Sequence, residues 1–357
     1  MKQDFKPYKI GTIFNPIALK NKPNPTLKEV TLKYPMRLNS MALDPSKIIS
    51  NNNMVYTPGE IIISVNLFTK TSVSLRSDDE IIIKSRVGRE TIIKHAAEIM
   101  RKTFQYQYGF EIEIDADVVF PHAGLGSSGS ILSSVICAIN ELFGKPMSTE
   151  LLVKFIAQNY GEEIEGDLEN INPVQCIGGS ACSGNYNDGL IIIAGESEVI
   201  GSTRINDDYD VIIGIPSDFS PKDSLEMLRL EKNNFPKFLE TGQKYGEKIA
   251  YRLIHEVLPS LKSCDLQKVG NLIFDYRFNM GSIENCAFCY DGLTEIAEKL
   301  REVEDQKLAD ILSLSSVGPA FFAITKEADS CEEIFLNSGL STFRTKVYNK
   351  KYEKIIN

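Results

Sequence analysis

A glycine- and serine-rich turn between an apolar strand and an apolar helix is the feature that most constrains this chain. Residues 121–130 read Pro-His-Ala-Gly-Leu-Gly-Ser-Ser-Gly-Ser. Before them, residues 110–114 alternate apolar and acidic side chains, which predicts a strand with one solvated face. After them, apolar residues recur at helical spacing from Ile131 to Phe143. A turn of this kind exposes backbone N–H groups beside the positive end of a helix dipole, and it therefore predicts a phosphate-binding site.

The turn also has an ordinary interpretation, a β-to-α loop in which a serine caps the helix. Its glycines do not match the phosphate-loop pattern G-x-x-x-x-G-K-[ST], because Ser130 stands where that pattern has lysine. The flanking strand and helix favour phosphate binding, because they place the N–H groups at a helix N-terminus. Ser127 and Ser128 add two hydroxyls, which can donate to phosphate oxygens or bind a phosphate-bound Mg²⁺.

Residues 124–128, Gly-Leu-Gly-Ser-Ser, resemble the second sequence motif of the GHMP kinase superfamily, P-x-x-x-G-L-G-S-S-A. Two positions depart from that motif: Pro121 lies one residue closer to the first glycine, and Gly129 replaces the alanine. The resemblance implies that the loop wraps the phosphates of ATP and that Ser128 binds Mg²⁺. The phosphate contacts it implies are His122, Gly124, Leu125, Gly126, Ser127, Ser128 and Gly129. His122 has an alternative role as a packed loop residue.

A carboxylate-rich segment follows, with five acids among residues 162–170. Carboxylates this close repel one another unless cations neutralise them, although a solvated helix end followed by a turn would also hold them. Homoserine kinases, which belong to the same superfamily, carry a similar stretch, E-G-x-x-D-N-V-x-P. The resemblance implies a catalytic role for Asn170 and Glu169 and a Mg²⁺ ligand at an upstream glutamate. Both Glu162 and Glu163 fit that position, and we take Glu163 as the first candidate.

A second small-residue turn lies at residues 313–324, which resemble the third motif of the superfamily, S-G-x-G-P-x-x-F-A-L. The resemblance implies that Ser316 and Gly318 line the phosphate site. Residues 34–39 lie where the first motif is expected and match it poorly. Arg37 and Arg277 are candidate substrate ligands, because a guanidinium binds an anionic group with a bidentate fork.

Strands followed by helices in each half of the chain predict an α+β protein with two lobes. The resemblance implies the two-lobed GHMP kinase fold, with a ribosomal-protein-S5-like β-α-β core in the N-terminal lobe and a ferredoxin-like α+β C-terminal lobe. We expect a nucleotide-binding lobe at residues 1–203 and a second lobe at 204–357. Further expectations are a small-residue loop at 178–184, a loop at 276–282, a helical stretch at 221–262 broken by Pro236, and a structural His95 on a helix.

The net charge, the length of the apolar runs and the cysteine content exclude several classes of protein. The net charge of −9 argues against broad binding to nucleic acid or anionic membranes. No apolar run has the length of a membrane span, and the first residues lack the apolar core of a secretory signal. Seven scattered cysteines fit a reducing cytoplasm, and the lone Cys286-x-x-Cys289 pair predicts structural thiols rather than a zinc site. A homodimer is compatible with the sequence, which leaves the oligomeric state open.

The motifs together predict an enzyme that uses ATP and Mg²⁺ to phosphorylate a hydroxyl group on a small metabolite. No S-G-x-D triplet with a catalytic aspartate is visible, so transfer would depend on positioning and charge neutralisation. The alternative is a synthase of the same fold that uses phosphoribosyl pyrophosphate, similar to β-ribofuranosylaminobenzene 5′-phosphate synthase around residues 122–127 and 315–319. A third hypothesis is an inactive binding or regulatory protein. The acceptor is set by loops whose shape the sequence does not define.

Overall fold

The computed structural model describes residues 7–48, 58–118, 122–174 and 176–355. Pro121, whose spacing in the turn departs from the superfamily motif, lies outside the described residues. The described strands are β1 (Tyr8–Lys9), β2 (Glu29–Ala42), β3 (Glu60–Leu75), β4 (Ile81–Ser85), β5 (Phe110–Ala116), β6 (Gly161–Ile164), β7 (Asp167–Pro173), β8 (Leu190–Ala194), β9 (Glu198–Thr203), β10 (Asp210–Pro216), β11 (Ile311–Leu314), β12 (Phe321–Thr325), β13 (Leu340–Thr345) and β14 (Glu353–Ile355).

The described α-helices are α1 (Glu90–Thr103), α2 (Ser127–Leu142), α3 (Thr149–Gln158), α4 (Gly179–Asn185), α5 (Ser224–Arg252), α6 (Leu258–Ser260), α7 (Leu266–Phe274), α8 (Ser282–Cys286), α9 (Leu293–Asp305) and α10 (Ala328–Asn337). Two π-helical turns, Leu253–Val257 and Asp275–Asn279, continue α5 and α7. Within the described ranges, none of the helices has the length and apolar composition needed to cross a membrane.

The larger sheet is built around β3, a strand of 16 residues. β2 pairs with it along its length, whereas β8 pairs with its first residues and β5 with its last. The strand order is β14-β2-β3-β5-β4, and β9 extends the sheet beyond β8. Helices α1 and α2 pack against each other, and α2 covers β2 and β3. Their apolar faces form one core, as the helical and two-residue periodicities require.

A second sheet has the order β11-β12-β10-β13, with antiparallel pairing throughout. Helices α7 and α10 pack on it. A further apolar cluster joins the two sheets, because it contains residues of β2 and β3 together with residues of β10 and β12. The mixed sheets with helices and the two lobes confirm the expected α+β class. The boundary at residues 203 and 204 falls between β9 and β10 and stays a prediction, while β14 returns to pair with β2.

Three local expectations are wrong. Residues 178–184 are predominantly the helix α4 rather than a loop, because small residues let it approach β2: a Cβ on Gly184 would lie 2.3 Å from the Tyr34 ring. Helix α5 runs for 29 residues through Pro236, since its packing on both sides of the proline outweighs the one hydrogen bond lost there. Residues 276–282 are helical up to Asn279.

The structure confirms the prediction that His95 lies on a helix, α1, and has a structural role. Its Nδ1 accepts the Gly11 N–H at 3.1 Å and its Nε2 donates to the Asn159 carbonyl at 2.9 Å. Burial lowers the pKa of His95 to about 4. The ring is therefore neutral in the folded state, whereas in the unfolded chain it gains a proton below pH about 6.5. Above pH about 6.5 the ring is neutral in both states, so it does not reduce the free energy of unfolding. As the pH falls from there toward 4, only the unfolded chain binds a proton, and the free energy of unfolding decreases.

We expect the free energy of unfolding to drop by about 2 kcal/mol more between pH 7 and pH 5 in the wild type than in His95→Asn. Urea titrations at both pH values, followed by circular dichroism, measure it. His255→Asn, at an exposed position, is the matched control. An unchanged pH dependence in His95→Asn would show that this ring does not titrate as its burial requires.

Candidate functional site

A cavity of about 320 Å³ lies where the loop at residues 122–129, the strand β2, the helix α5 and the turn at 316–318 meet. Twelve of the candidate site residues from the sequence line it: His122, Gly124, Leu125, Gly126, Ser127, Ser128, Gly129, Glu162, Ser316, Gly318, Arg37 and Arg277. Glu163, Glu169 and Asn170 do not. The structure thus brings together residues that are more than 270 positions apart in the chain.

The loop at 122–129 has the geometry of an anion cradle. Gly124 and Gly126 have φ values of +90° and +70°, which favour glycine. Gly126 precedes the first residue of α2, and no side chain caps that helix. The backbone N–H groups of Ser127, Ser128 and Gly129 therefore lack both intrahelical and capping acceptors, which leaves them available to phosphate oxygens.

The two small-residue turns are joined by direct hydrogen bonds. The Gly124 carbonyl accepts from Ser315 Oγ at 2.8 Å and from Arg37 Nη1 at 3.2 Å. The Ser316 N–H donates to the carbonyl of Asn39, on the same strand as Arg37, at 3.0 Å. Arg37 also lies under Gly126, where a Cβ would be 3.0 Å from its Cζ. The loop is thus fixed on one side by a strand and on the other by the second turn.

A carboxylate and a hydroxyl suited to a divalent cation stand beside this loop. Ser128 Oγ lies 3.4 Å from Glu162 Oε1, and Tyr160 Oη donates to Glu162 Oε2 at 2.8 Å. Glu163, the first candidate from the sequence, instead pairs with Arg89 at 3.2 Å. Hydroxyl and carboxylate oxygens are the ligands that Mg²⁺ prefers, and phosphate oxygens supply further ligands. Among the described residues no group of three or more His, Cys, Asp and Glu side chains is placed to hold a metal.

The acidic segment forms a hairpin of β6 and β7. The pairing register of these two strands determines which of their side chains lie on the same face. Asn172 lies opposite Glu162, is 1% exposed, and its Nδ2 has no partner among the described residues. Asn170 lies two residues nearer the hairpin tip, about 6.6 Å along the strand, and bonds to Asp167. Glu169 is exposed. Neither Asn170 nor Glu169 is among the residues that line the cavity, and their catalytic role stays a prediction from the sequence.

Arg89, which no sequence motif identified, connects the hairpin to the loop and to the start of α5. Its Nη1 lies 3.4 Å from Glu162 and its Nη2 lies 3.5 Å from His122 Nε2. His122 Nε2 lies 3.0 Å from Ser224 Oγ. Burial, and then the positive charge of Arg89, lower the pKa of His122 to about 4. His122 is therefore neutral near pH 7, and it links the loop to α5.

The two arginine candidates have different surroundings. Arg37 faces Glu60, a buried carboxyl that accepts from Asn39 Nδ2 and from the Gly179 N–H; burial raises the pKa of Glu60, and Arg37 opposes that shift. Arg277 is 2% exposed, donates to the Ser40 carbonyl at 2.7 Å, and has no ion pair among the described residues. Its other nitrogens donate to Ser282 Oγ and to Asn39, so Arg277 is a buried cation whose charge is met by neutral acceptors and by no carboxylate among the described residues. Glu60, within the apolar run that opens β3, was not identified in the sequence.

Comparison with known proteins agrees with this geometry. Residues 91–172, which span α1 to β7, match the family model described as the GHMP kinases N terminal domain. Residues 91–172 are thus a GHMP kinase N-terminal domain, as the sequence motifs predicted. A homoserine kinase of Methanococcus maripaludis is 27% identical to this chain over 237 residues, which cover 65% of this chain and 67% of the relative.

Solved structures show the same fold at low sequence identity. Homoserine kinase from Cytophaga hutchinsonii superposes with a TM-score of 0.61 at 14% identity, covering 93% of this chain and 99% of that one. Mevalonate diphosphate decarboxylase from Staphylococcus aureus gives 0.63 at 16% identity, covering 92% and 98%. A third structure, with a TM-score of 0.62 at 15% identity over 92% and 100% of the two chains, contains AMPPCP and magnesium. The two-lobed fold is thus shared by kinases and decarboxylases.

We expect Gly124→Ala to destabilise the protein more than Gly166→Ala does. Both positions have positive φ, at 90° and 78°, so both substitutions carry backbone strain of about 1 kcal/mol. Only at Gly124 would the new Cβ collide, 2.3 Å from the Ser315 carbonyl oxygen, whereas nothing lies within 4 Å at Gly166. Overpacking adds about 1–3 kcal/mol. Equal free energies of unfolding in urea for the two variants would contradict the contact between the loops.

Proposed function

We propose that this protein transfers the terminal phosphoryl group of ATP to a hydroxyl group of a small acceptor. The observation that carries the proposal is that an uncapped helix N-terminus and the Ser128–Glu162 pair open into one cavity. Phosphoryl transfer needs positioning and charge neutralisation more than covalent chemistry, and these residues supply both.

The residues of the loop fit the nucleotide. The N–H groups of residues 127–129 would bind phosphate oxygens, and Arg37 lies beneath the same loop. Ser128 and Glu162 would hold Mg²⁺, which when bound neutralises charge on the phosphates and orients them. Both glutamates pair with Arg89, but only Glu162 lies beside Ser128 and lines the cavity, so we assign this role to Glu162 in place of Glu163.

The acceptor would enter from the side of Arg277. The acceptor oxygen forms a bond to the γ-phosphorus, the bond from that phosphorus to the ADP oxygen breaks, and the hydroxyl proton leaves to solvent or to a phosphate oxygen. Arg277 would hold an anionic group of the acceptor, since this buried guanidinium has no carboxylate partner among the described residues. Asn170 and Glu169 lie outside the cavity, so we assign them no catalytic role.

The phosphoribosyl alternative has less support. His122, which favoured it, contacts Ser224 and Arg89, and so has a packing role within the site. The matched relatives include homoserine and mevalonate kinases. A cytoplasmic location and a homodimer remain predictions from the sequence.

We expect AMPPCP with Mg²⁺ to raise the melting temperature, because a ligand at 100 times its Kd adds about 2.7 kcal/mol to the folded state. Ser128→Ala and Glu162→Gln should raise the Mg²⁺ concentration needed for half of that shift about tenfold. Glu163→Gln is the matched control and should raise it less. Differential scanning fluorimetry with a Mg²⁺ titration measures the effect.

Two results would count against the assignment. A shift with phosphoribosyl pyrophosphate and none with AMPPCP would replace the kinase proposal by the synthase. A larger effect in Glu163→Gln than in Glu162→Gln would return the metal ligand to Glu163.

A further inference from the structure

One acidic side chain in the cavity has no partner within the part of the chain that the structure describes. Glu231 lies on α5 and lines the cavity together with Met227, Leu228 and Phe238 from the same helix. It makes no hydrogen bond or ion pair with any described residue. Spacings of three, four and seven residues place these four side chains on one face of the helix, so Glu231 belongs to an otherwise apolar wall.

The surroundings of the Glu231 carboxyl group disfavour its charged form. Burial alone raises the pKa of Glu231 to about 7, because the charged form loses water and gains no cation. Arg277 and Glu231 both act electrostatically on the Cys286 thiol, so the two unpaired charged groups lie around the same part of the cavity. Glu231 is half-buried in the cavity wall, and a poorly solvated carboxyl group with no partner among the described residues is unfavourable. The fold itself therefore gives no reason for an acid here, whereas a ligand would.

The position of Glu231 along α5 fixes which part of a ligand it can reach. The helix begins at Ser224, whose hydroxyl contacts His122 of the phosphate loop. Glu231 is seven residues further on, about 10 Å along the helix axis. It therefore lies toward the end of the cavity remote from the loop, with apolar side chains and Arg277 as neighbours.

We propose that Glu231 determines specificity by binding a hydrogen-bond-donating group, an ammonium or a hydroxyl, at the end of the acceptor remote from the phosphorylated hydroxyl. The proposal rests on the function proposed above. A carboxylate accepts hydrogen bonds from either group and adds charge attraction for the ammonium. A site built to bind such a donor rejects an apolar analogue, because the acid is then left buried and unpaired.

The test uses three six-carbon primary alcohols that each carry one carboxylate for Arg277 and that differ in ending in an ammonium, a hydroxyl or a methyl group, with ATP and Mg²⁺. We expect the wild type to phosphorylate the two donor-ended alcohols with kcat/KM at least tenfold above that for the methyl-ended one. Glu231→Gln should lose the preference for the ammonium and keep that for the hydroxyl. Glu231→Leu should lose both. Glu240→Gln, an exposed acid on the same helix, should behave as the wild type.

Stability separates a binding role from a structural one. Removal of an unpaired buried acid should leave the melting temperature of Glu231→Leu unchanged or higher, with the AMPPCP–Mg²⁺ shift retained. Equal turnover of the three alcohols by the wild type, a donor preference that persists in Glu231→Leu, or no turnover while the AMPPCP shift remains would each overturn the role of Glu231 and leave the nucleotide site standing. A missing AMPPCP shift in the wild type would refute both proposals.

Discussion

The carbonyl oxygen of Gly124 is the point on which the site depends. It accepts hydrogen bonds from Ser315 of the second turn and from Arg37 of β2, so it joins the phosphate loop to two distant segments. A neighbouring bond from the Ala320 N–H to the Ala123 carbonyl, at 3.1 Å, extends the same contact. This approach is possible only at a glycine with positive φ, because any side chain would occupy the position of the Ser315 carbonyl.

The strand β2 connects this contact to the core. A register shift between Pro35 and Met36 reorients the strand, after which Met36 and Leu38 point into the apolar cluster between the two sheets. Alternation then places Arg37 and Asn39 on the opposite face, where they line the cavity. Burial of the apolar side chains of β2 between the two sheets thus also orients its polar side chains toward the cavity.

Most charged side chains around the cavity are neutralised by other side chains of the protein. Arg89 neutralises the acids of the hairpin, and Arg37 opposes the cost of burying Glu60. Arg277 and Glu231 have no such partner among the described residues. Buried charges without partners are destabilising, so the two that remain are the groups a substrate would satisfy.

The sequence by itself determined the elements whose signals are local. Alternating residues, glycines and helical spacing predicted the strand–turn–helix around residues 110–143, and the structure has β5 and α2 there. Only the tertiary structure distinguishes Glu162, which lines the cavity, from Glu163, which does not, because neighbouring residues of a strand point to opposite faces. It alone revealed Glu60, Arg89 and Glu231, since burial and the absence of a partner are properties of packing between segments far apart in the chain.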